Sequence, residues 1–220
     1  FEASKLKKLR GRIIKFNPKL VNSNRYITLL GDGSLGGKGR GLAFLSNFIE
    51  NVYLKKLIPD LHVAIPKTAV IGMNEFDNFL ENNNLYDVIF EDKEYNHVLE
   101  AFRTARLSEQ LRNNLRKYLQ VMTKPLAVRS SGLFEDSLNQ PFAGVYSTYL
   151  LPNNHPDIER RLEDVENAIK LVFASIYSPE SRAYFNAIDY MIEEEKMAVI
   201  IQEVIGNEHN GRYYPEISGV

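Results

Sequence analysis

Apolar residues change their spacing several times along the chain, and each change marks an element. Tyr26-Ile27-Thr28-Leu29-Leu30 reads as a short strand. It runs into Gly31-Asp32-Gly33-Ser34-Leu35-Gly36-Gly37-Lys38-Gly39, a loop with five glycines in nine residues. Leu42, Leu45, Phe48, Ile49 and Val52 then recur at spacings of three and four, which predicts a helix through about Lys56. Residues 63–71 are strand-like, and Pro66 makes this strand an edge or interrupts it, because proline removes a ladder donor. Asn74 is the expected cap of a short helix carrying Phe76, Phe79 and Leu80, which Asn82-Asn83-Asn84 ends. Val98, Phe102, Leu107, Leu111, Leu115 and Leu119 predict one long helix or two, with basic residues outward.

The pattern changes at Thr123-Lys124-Pro125. Leu126-Ala127-Val128 is a strand, and residues 145–151 form another with alternating character. Pro156 opens a helix that carries Ile158, Leu162, Val165, Ile169 and Val172 on one face. Residues 197–204 are an apolar, buried strand. Upstream, Leu6, Leu9 and Ile13 recur at helical spacing among Lys5, Lys7, Lys8, Arg10, Arg12, Lys15 and Lys19. This predicts a solvated basic helix or linker, since charge runs are usually solvated. Strands and helices mix without strict βαβ alternation, so the class is α+β. Three stretches follow: a basic leader over 1–24, a first subdomain over 25–122 and a second over 123–220.

Composition narrows the function. The 220 residues are 44% hydrophobic and 25% charged, which is ordinary for a chain that buries a core. Lys and Arg total 27 against 28 Asp and Glu, so a surface built mainly to coat nucleic acid is not expected. Cysteine is absent, which excludes disulfides, thiolate metal sites and a cysteine nucleophile and fits a reducing, cytoplasmic compartment. No run of 18 apolar residues exists, so no membrane helix is expected. The chain opens on Phe1 and closes on Ile217-Ser218-Gly219-Val220, and both ends read as cut from something longer.

Four clusters carry chemistry. Gly31-x-Gly33-x-x-Gly36 matches a dinucleotide fingerprint, but the next strand ends in Ile71-Gly72-Met73 and offers no acid to hold a ribose. A P-loop also fails, because Gly39 rather than Ser or Thr follows Lys38. What remains is a glycine loop with exposed amides at a helix start, plus the charge of Lys38, which together suit phosphate. The bland alternative is a glycine turn with a surface lysine. The second cluster is Arg129-Ser130-Ser131, leaving the end of an apolar strand. A planar guanidinium and two hydroxyls suit phosphate oxygens, while Glu135 or Asp136 are the ordinary ion-pair partners of Arg129 or contacts for magnesium. Phe142-Ala143-Gly144 suits a mobile closing loop, although packing explains Phe142 as well. Gln202-Glu203-Val204 ends the last strand and offers an apolar slot with edge polar groups for a base. His62, His97, His155 and His209 lack metal spacing and read as non-catalytic.

In this order the clusters resemble the N-terminal nucleotide-binding domain of phosphoenolpyruvate synthase and pyruvate phosphate dikinase. The resemblance is carried by Leu35-Gly36-Gly37-Lys38-Gly39 with Leu42-Ala43, and by Ile65-Pro66-Lys67-Thr68-Ala69-Val70-Ile71. It continues in Val128-Arg129-Ser130-Ser131, Glu135-Asp136 and Phe142-Ala143-Gly144, then Val199-Ile200-Ile201-Gln202 and Ser218-Gly219-Val220. It is closer to the synthase, and it departs from the family pattern at Gly41, Phe44, Gly132-Leu133-Phe134 and Val145. The resemblance implies an ATP-grasp-type domain, incomplete at its C-terminal end. It implies that Lys38 and Arg129 hold the ATP phosphates and stabilise charge during transfer. Gly36, Gly37, Gly39, Ser130 and Ser131 would line the phosphates, and Gln202, Glu203 and Val204 would border the adenine. Magnesium is expected with ATP, its acidic ligands following Val220, with no metal ligand in this chain. The implied partners are a phosphohistidine domain and a pyruvate-binding domain of the parent chain, with a homo-oligomer open. The excerpt alone is then expected not to complete the reaction. The departures leave two rivals: a nucleotide-sensing module without phosphotransfer, and a related dikinase with another acceptor.

Overall fold

The computed structural model describes residues 12–19, 26–51, 60, 62–90, 94–133, 135 and 144–219. Six strands form one mixed sheet: β1 (Arg12–Lys15), β2 (Tyr26–Gly31), β3 (Thr68–Ile71), β4 (Leu126–Gly132), β5 (Thr148–Leu151) and β6 (Met197–Glu203). Their order is β1-β2-β3-β6-β4-β5. The first three run parallel, and β6 is antiparallel to both β3 and β4. Thus β6, from the last quarter of the chain, sits between β3 of the first subdomain stretch and β4 of its own. A mixed sheet flanked by helices fits an α+β nucleotide-binding domain.

Helix α1 (Gly36–Asn51) covers one face of the sheet, over β1, β2, β6 and β4. The other face carries α2 (Met73–Asn82), α3 (Tyr86–Phe90), α4 (Tyr95–Thr104), α5 (Glu109–Val121), α6 (Ile158–Ala174) and α7 (Pro179–Ala187). Strand side chains alternate between the faces, and so do the two cores. Ala69, Ile71, Leu126, Val128, Met197, Val199 and Ile201 enter the large helix-side core. Val70, Ala198 and Ile200 enter a smaller one beneath α1 with Leu35, Leu42 and Ala43. Aromatic edges close the large core: Phe76 and Phe173 are 5.1 Å apart, and Phe79 and Phe102 are 5.4 Å apart, each pair edge-on.

Several sequence expectations change. Arg12–Lys15 is a strand rather than part of a basic helix, because Ile13 and Ile14 align with Ile27 and Thr28 of β2. The rest of the expected leader, residues 1–11 and 20–24, lies outside the described residues. The helix after the glycine loop starts earlier than its apolar period, at Gly36. Of the two readings of the Pro66 strand, interruption is the one the structure has: the strand begins only at Thr68, past the proline, and is interior rather than an edge. Gly72 caps α2, and Asn74 lies within the helix. Of the one long helix or two that the sequence allowed, the structure has two, separated at Ala105, with Ser108 accepting from the Leu111 amide at 3.2 Å to start the second. Pro156 precedes α6, whose cap is Asp157, accepting from the Glu159 amide at 2.9 Å. Only Thr148–Leu151 of the alternating stretch pairs as a strand.

Candidate functional site

The glycine loop meets the far end of β4. The nearest atom a side chain at Gly36 would meet is the Ser131 carbonyl oxygen, so close that a Cβ there would stand 1.9 Å away. Gly36 also takes φ +71°, which a side chain would resist. Ser131 fixes the contact with its hydroxyl. Its Oγ donates to the Leu35 carbonyl at 2.7 Å and accepts from the Gly39 amide at 2.9 Å. The amide of Gly39 is therefore taken by β4 and is not one of the exposed amides the sequence suggested.

Arg129, Ser130 and Ser131 do not leave the strand as the sequence suggested. They are its body, since β4 continues to Gly132 in register with Met197. Alternation sends Ser131 and Arg129 toward the α1 face and Ser130 toward the other. Glu135, just past the strand, reaches back to gather the group. One oxygen, Oε1, pairs with the Lys38 ammonium and accepts from Ser130 Oγ at 3.1 Å. The other, Oε2, accepts from the Gly132 amide at 3.1 Å. The Glu135 side chain is only 4% exposed, against 26% for Lys38. The expected ordinary partner of Arg129 thus serves Lys38 instead. Among the described residues Arg129 makes no side-chain hydrogen bond or ion pair. It sits half-buried opposite Ile200 on one side and Thr148 on the other.

Gln202, Glu203 and Val204 stand at the opposite end of the strands. Gln202 lies four positions along β6 from Ala198, the partner of Ser131, which is about 13 Å at ~3.3 Å per residue. It shares the α1 face, and its Nε2 donates to Thr68 Oγ1 at 3.0 Å. Glu203 points to the helix face, where Lys124 reaches it at 2.8 Å and Lys67 at 4.0 Å. Its carboxylate pushes the neighbouring buried Tyr118 phenol further up, after burial itself. The amides of Glu203 and Val204 bond the carbonyls of Lys67 and Pro125. Val204 lines a cavity of about 530 Å³ together with Pro125, Leu150 and Tyr213.

The structure therefore gathers Gly36, Gly37, Lys38, Gly39, Ser130 and Ser131 at one strand end and keeps Gln202 to Val204 at the other. Arg129 lies between them, half-buried on the α1 face. Sequence reasoning missed the role of Glu135 toward Lys38, and missed Thr148 altogether. An alternating strand beside Arg129 was the signal for Thr148. Asp136, Phe142 and Ala143 lie outside the described residues. Among the described residues no three His, Asp or Glu side chains converge as metal ligands. Among them, too, no helix is long and apolar enough to cross a membrane.

Comparison with known proteins gives two matches. Residues 32–220 match the family described as pyruvate phosphate dikinase, AMP/ATP-binding domain. A stretch of 149 residues is 26% identical to the uncharacterized phosphotransferase YvkC of Bacillus subtilis (strain 168). That stretch is 68% of this chain and 17% of the relative, so the chain spans a small part of that protein's length.

Proposed function

The chain belongs to the pyruvate phosphate dikinase AMP/ATP-binding domain family, and on that premise we propose that it is the ATP-binding part of a phosphoenolpyruvate synthase-like dikinase. It passes phosphoryl from ATP to a histidine on a separate domain of the parent chain, leading to phosphoenolpyruvate from pyruvate. The module is of the ATP-grasp type. The observation that carries this reading is the common face shared by Lys38, Arg129 and Gln202, with the glycine loop locked onto Ser131 at one end.

ATP lies along that face. Its phosphates take the Lys38 end and its base takes the Gln202 end, beside the cavity that Val204 lines. A span of about 13 Å of strand suits an extended nucleotide. As the histidine nitrogen forms the new N–P bond, a P–O bond of ATP breaks and charge gathers on the departing oxygen. Lys38 and the planar guanidinium of Arg129 stabilise that charge, which is where most phosphoryl-transfer catalysis resides. Thr148, exposed beside Arg129, adds a hydroxyl donor on the same face. Magnesium usually accompanies ATP and would screen its phosphates. Glu135 is already engaged by Lys38, Ser130 and Gly132, so the described residues offer it no ready ligand set.

The test is ATP-dependent histidine phosphorylation by the full-length parent carrying Lys38→Ala or Arg129→Ala. Each loses a charged hydrogen bond of about 1.5–3 kcal/mol, so the rate should fall at least ~10-fold. Unchanged phosphorylation in both variants would remove the proposed roles.

A further inference from the structure

We propose that Glu135 is the positioning residue for Lys38: it holds the ammonium at the end of β4 and neutralises it until a polyphosphate takes over the pairing. This rests on the reading of Lys38 as a phosphate contact. Three donors converge on the Glu135 carboxylate, and they are unequal. Ser130 and Gly132 belong to β4, and β4 is held by β6 along its whole length. Lys38 reaches in from α1 on a flexible four-carbon stem. The carboxylate is therefore anchored by the strand, and the ammonium is the member that can swing.

Burial makes the pairing matter. A carboxylate this enclosed must have a charge partner or strong donors to remain ionised. With Ser130 and Gly132 as fixed donors, Glu135 keeps part of its stabilisation when Lys38 turns to a ligand. Lys38 pays no such burial cost, being a quarter exposed. A single carboxylate competes well against a monovalent anion for the ammonium and poorly against the multiple charges of a polyphosphate chain. The pair thus sets a charge threshold for entry. The same fixed carboxylate repels phosphate from its own side, which confines the ligand to the side toward Arg129.

The test uses the 220-residue chain with E135Q, K38M and the double variant. The first readout needs no ligand: acylation of lysine amines by a succinimidyl ester, located by peptide mass spectrometry. Lys38 in E135Q should label at least ~3-fold faster than in the parent chain, as expected for an amine released from a buried partner, while Lys67 and Lys196 are unchanged. Equal Lys38 rates overturn the proposal. The second readout is tripolyphosphate binding by calorimetry. E135Q should tighten it at least ~5-fold where Lys38 is present and by under ~2-fold in the K38M background, the signature of action through Lys38. An equal shift in both backgrounds means a general charge effect and overturns the proposal. If K38M leaves binding unchanged while E135Q still frees Lys38 to label, the positioning stands and the phosphate role of Lys38 fails. Should E135Q not fold by circular dichroism, E135D carries the labelling test. It keeps the charge but shortens the reach, so faster Lys38 labelling is again expected and an unchanged rate overturns.

Discussion

Gly36 and Gly41 sit five residues apart in one helix and make opposite demands on a side chain. A Cβ at Gly36 would strike the Ser131 carbonyl, and φ there is +71°, whereas a Cβ at Gly41 meets nothing within 4 Å. Gly36→Ala should lose about 1–3 kcal/mol to strain and overlap, and should weaken ATP binding by displacing the loop. Gly41→Ala should gain about 0.5–1 kcal/mol, because it removes helix-interior glycine entropy. Urea denaturation of both variants checks the pair, and similar effects at the two sites would refute the packing account. Lys38, Arg129 and the glycines were legible as candidates because their chemistry is written in their types. The partner of Lys38 was not. Glu135 lies 97 residues away, and only the closing of the sheet brings it near. Local reading assigned it to Arg129, its neighbour in sequence.

Among the elements, β6 was readable because an interior strand with both faces buried is continuously apolar. The same logic failed for β4, whose second half is Arg129-Ser130-Ser131. Those polar residues remain in a strand because one face meets the glycine loop and the other meets Glu135, so each hydroxyl finds a partner. The strand β1 was read as helix because Leu6, Leu9 and Ile13 fit a helical period, while pairing with β2 is a tertiary fact. Connections matter at this scale as well. Asn153, buried and at φ +51°, donates from Nδ2 to the Met122 and Lys124 carbonyls, each at 2.9 Å. Arg161 adds bonds from its guanidinium to the Leu119 and Met122 carbonyls, both at 3.1 Å. Together they close the end of α5 onto the start of β4. Asn153→Ala takes the side-chain donor from the Lys124 carbonyl, leaves Met122 only its bond from Arg161, and strains the backbone, so it should cost about 2–3 kcal/mol. Asn153→Gly should cost less, because glycine accepts the left-handed conformation. A loss in Asn153→Ala smaller than that in Asn153→Gly would contradict this order.

Across the whole molecule, the helix-side core buries phenols as well as phenyls, and this sets the alkaline limit of the fold. Burial raises the Tyr95 phenol to about 12, and raises those of Tyr118, Tyr146 and Tyr177 further. Glu203 adds to the effect at Tyr118, and Glu195 at Tyr146. The folded values lie above the unfolded value of about 10. The stabilisation is therefore complete below pH ~10 and is lost as pH rises toward the folded values. Each enclosed phenol forfeits about 1.4 kcal/mol per pH unit in that window. Three such phenols act in the same direction, against the marginal stability of a domain. Lys170, whose ammonium burial pushes down, has the opposite sign, but its effect is complete by the ordinary lysine value of about 10.4, so it offsets little of this loss. The buried phenols should therefore ionise together with the loss of helical circular dichroism, as a cooperative rise in tyrosinate absorbance beyond that of the exposed tyrosines. Tyr118 separates this from surface charge effects, since among the described residues its buried hydroxyl has no hydrogen-bond partner. Tyr118→Phe removes both an unsatisfied polar atom and a titrating group. It should stabilise the chain by about 1–3 kcal/mol at neutral pH and move the alkaline transition upward. Loss of stability in Tyr118→Phe, or ionisation of the buried phenols while the helices persist, would show that the core admits water.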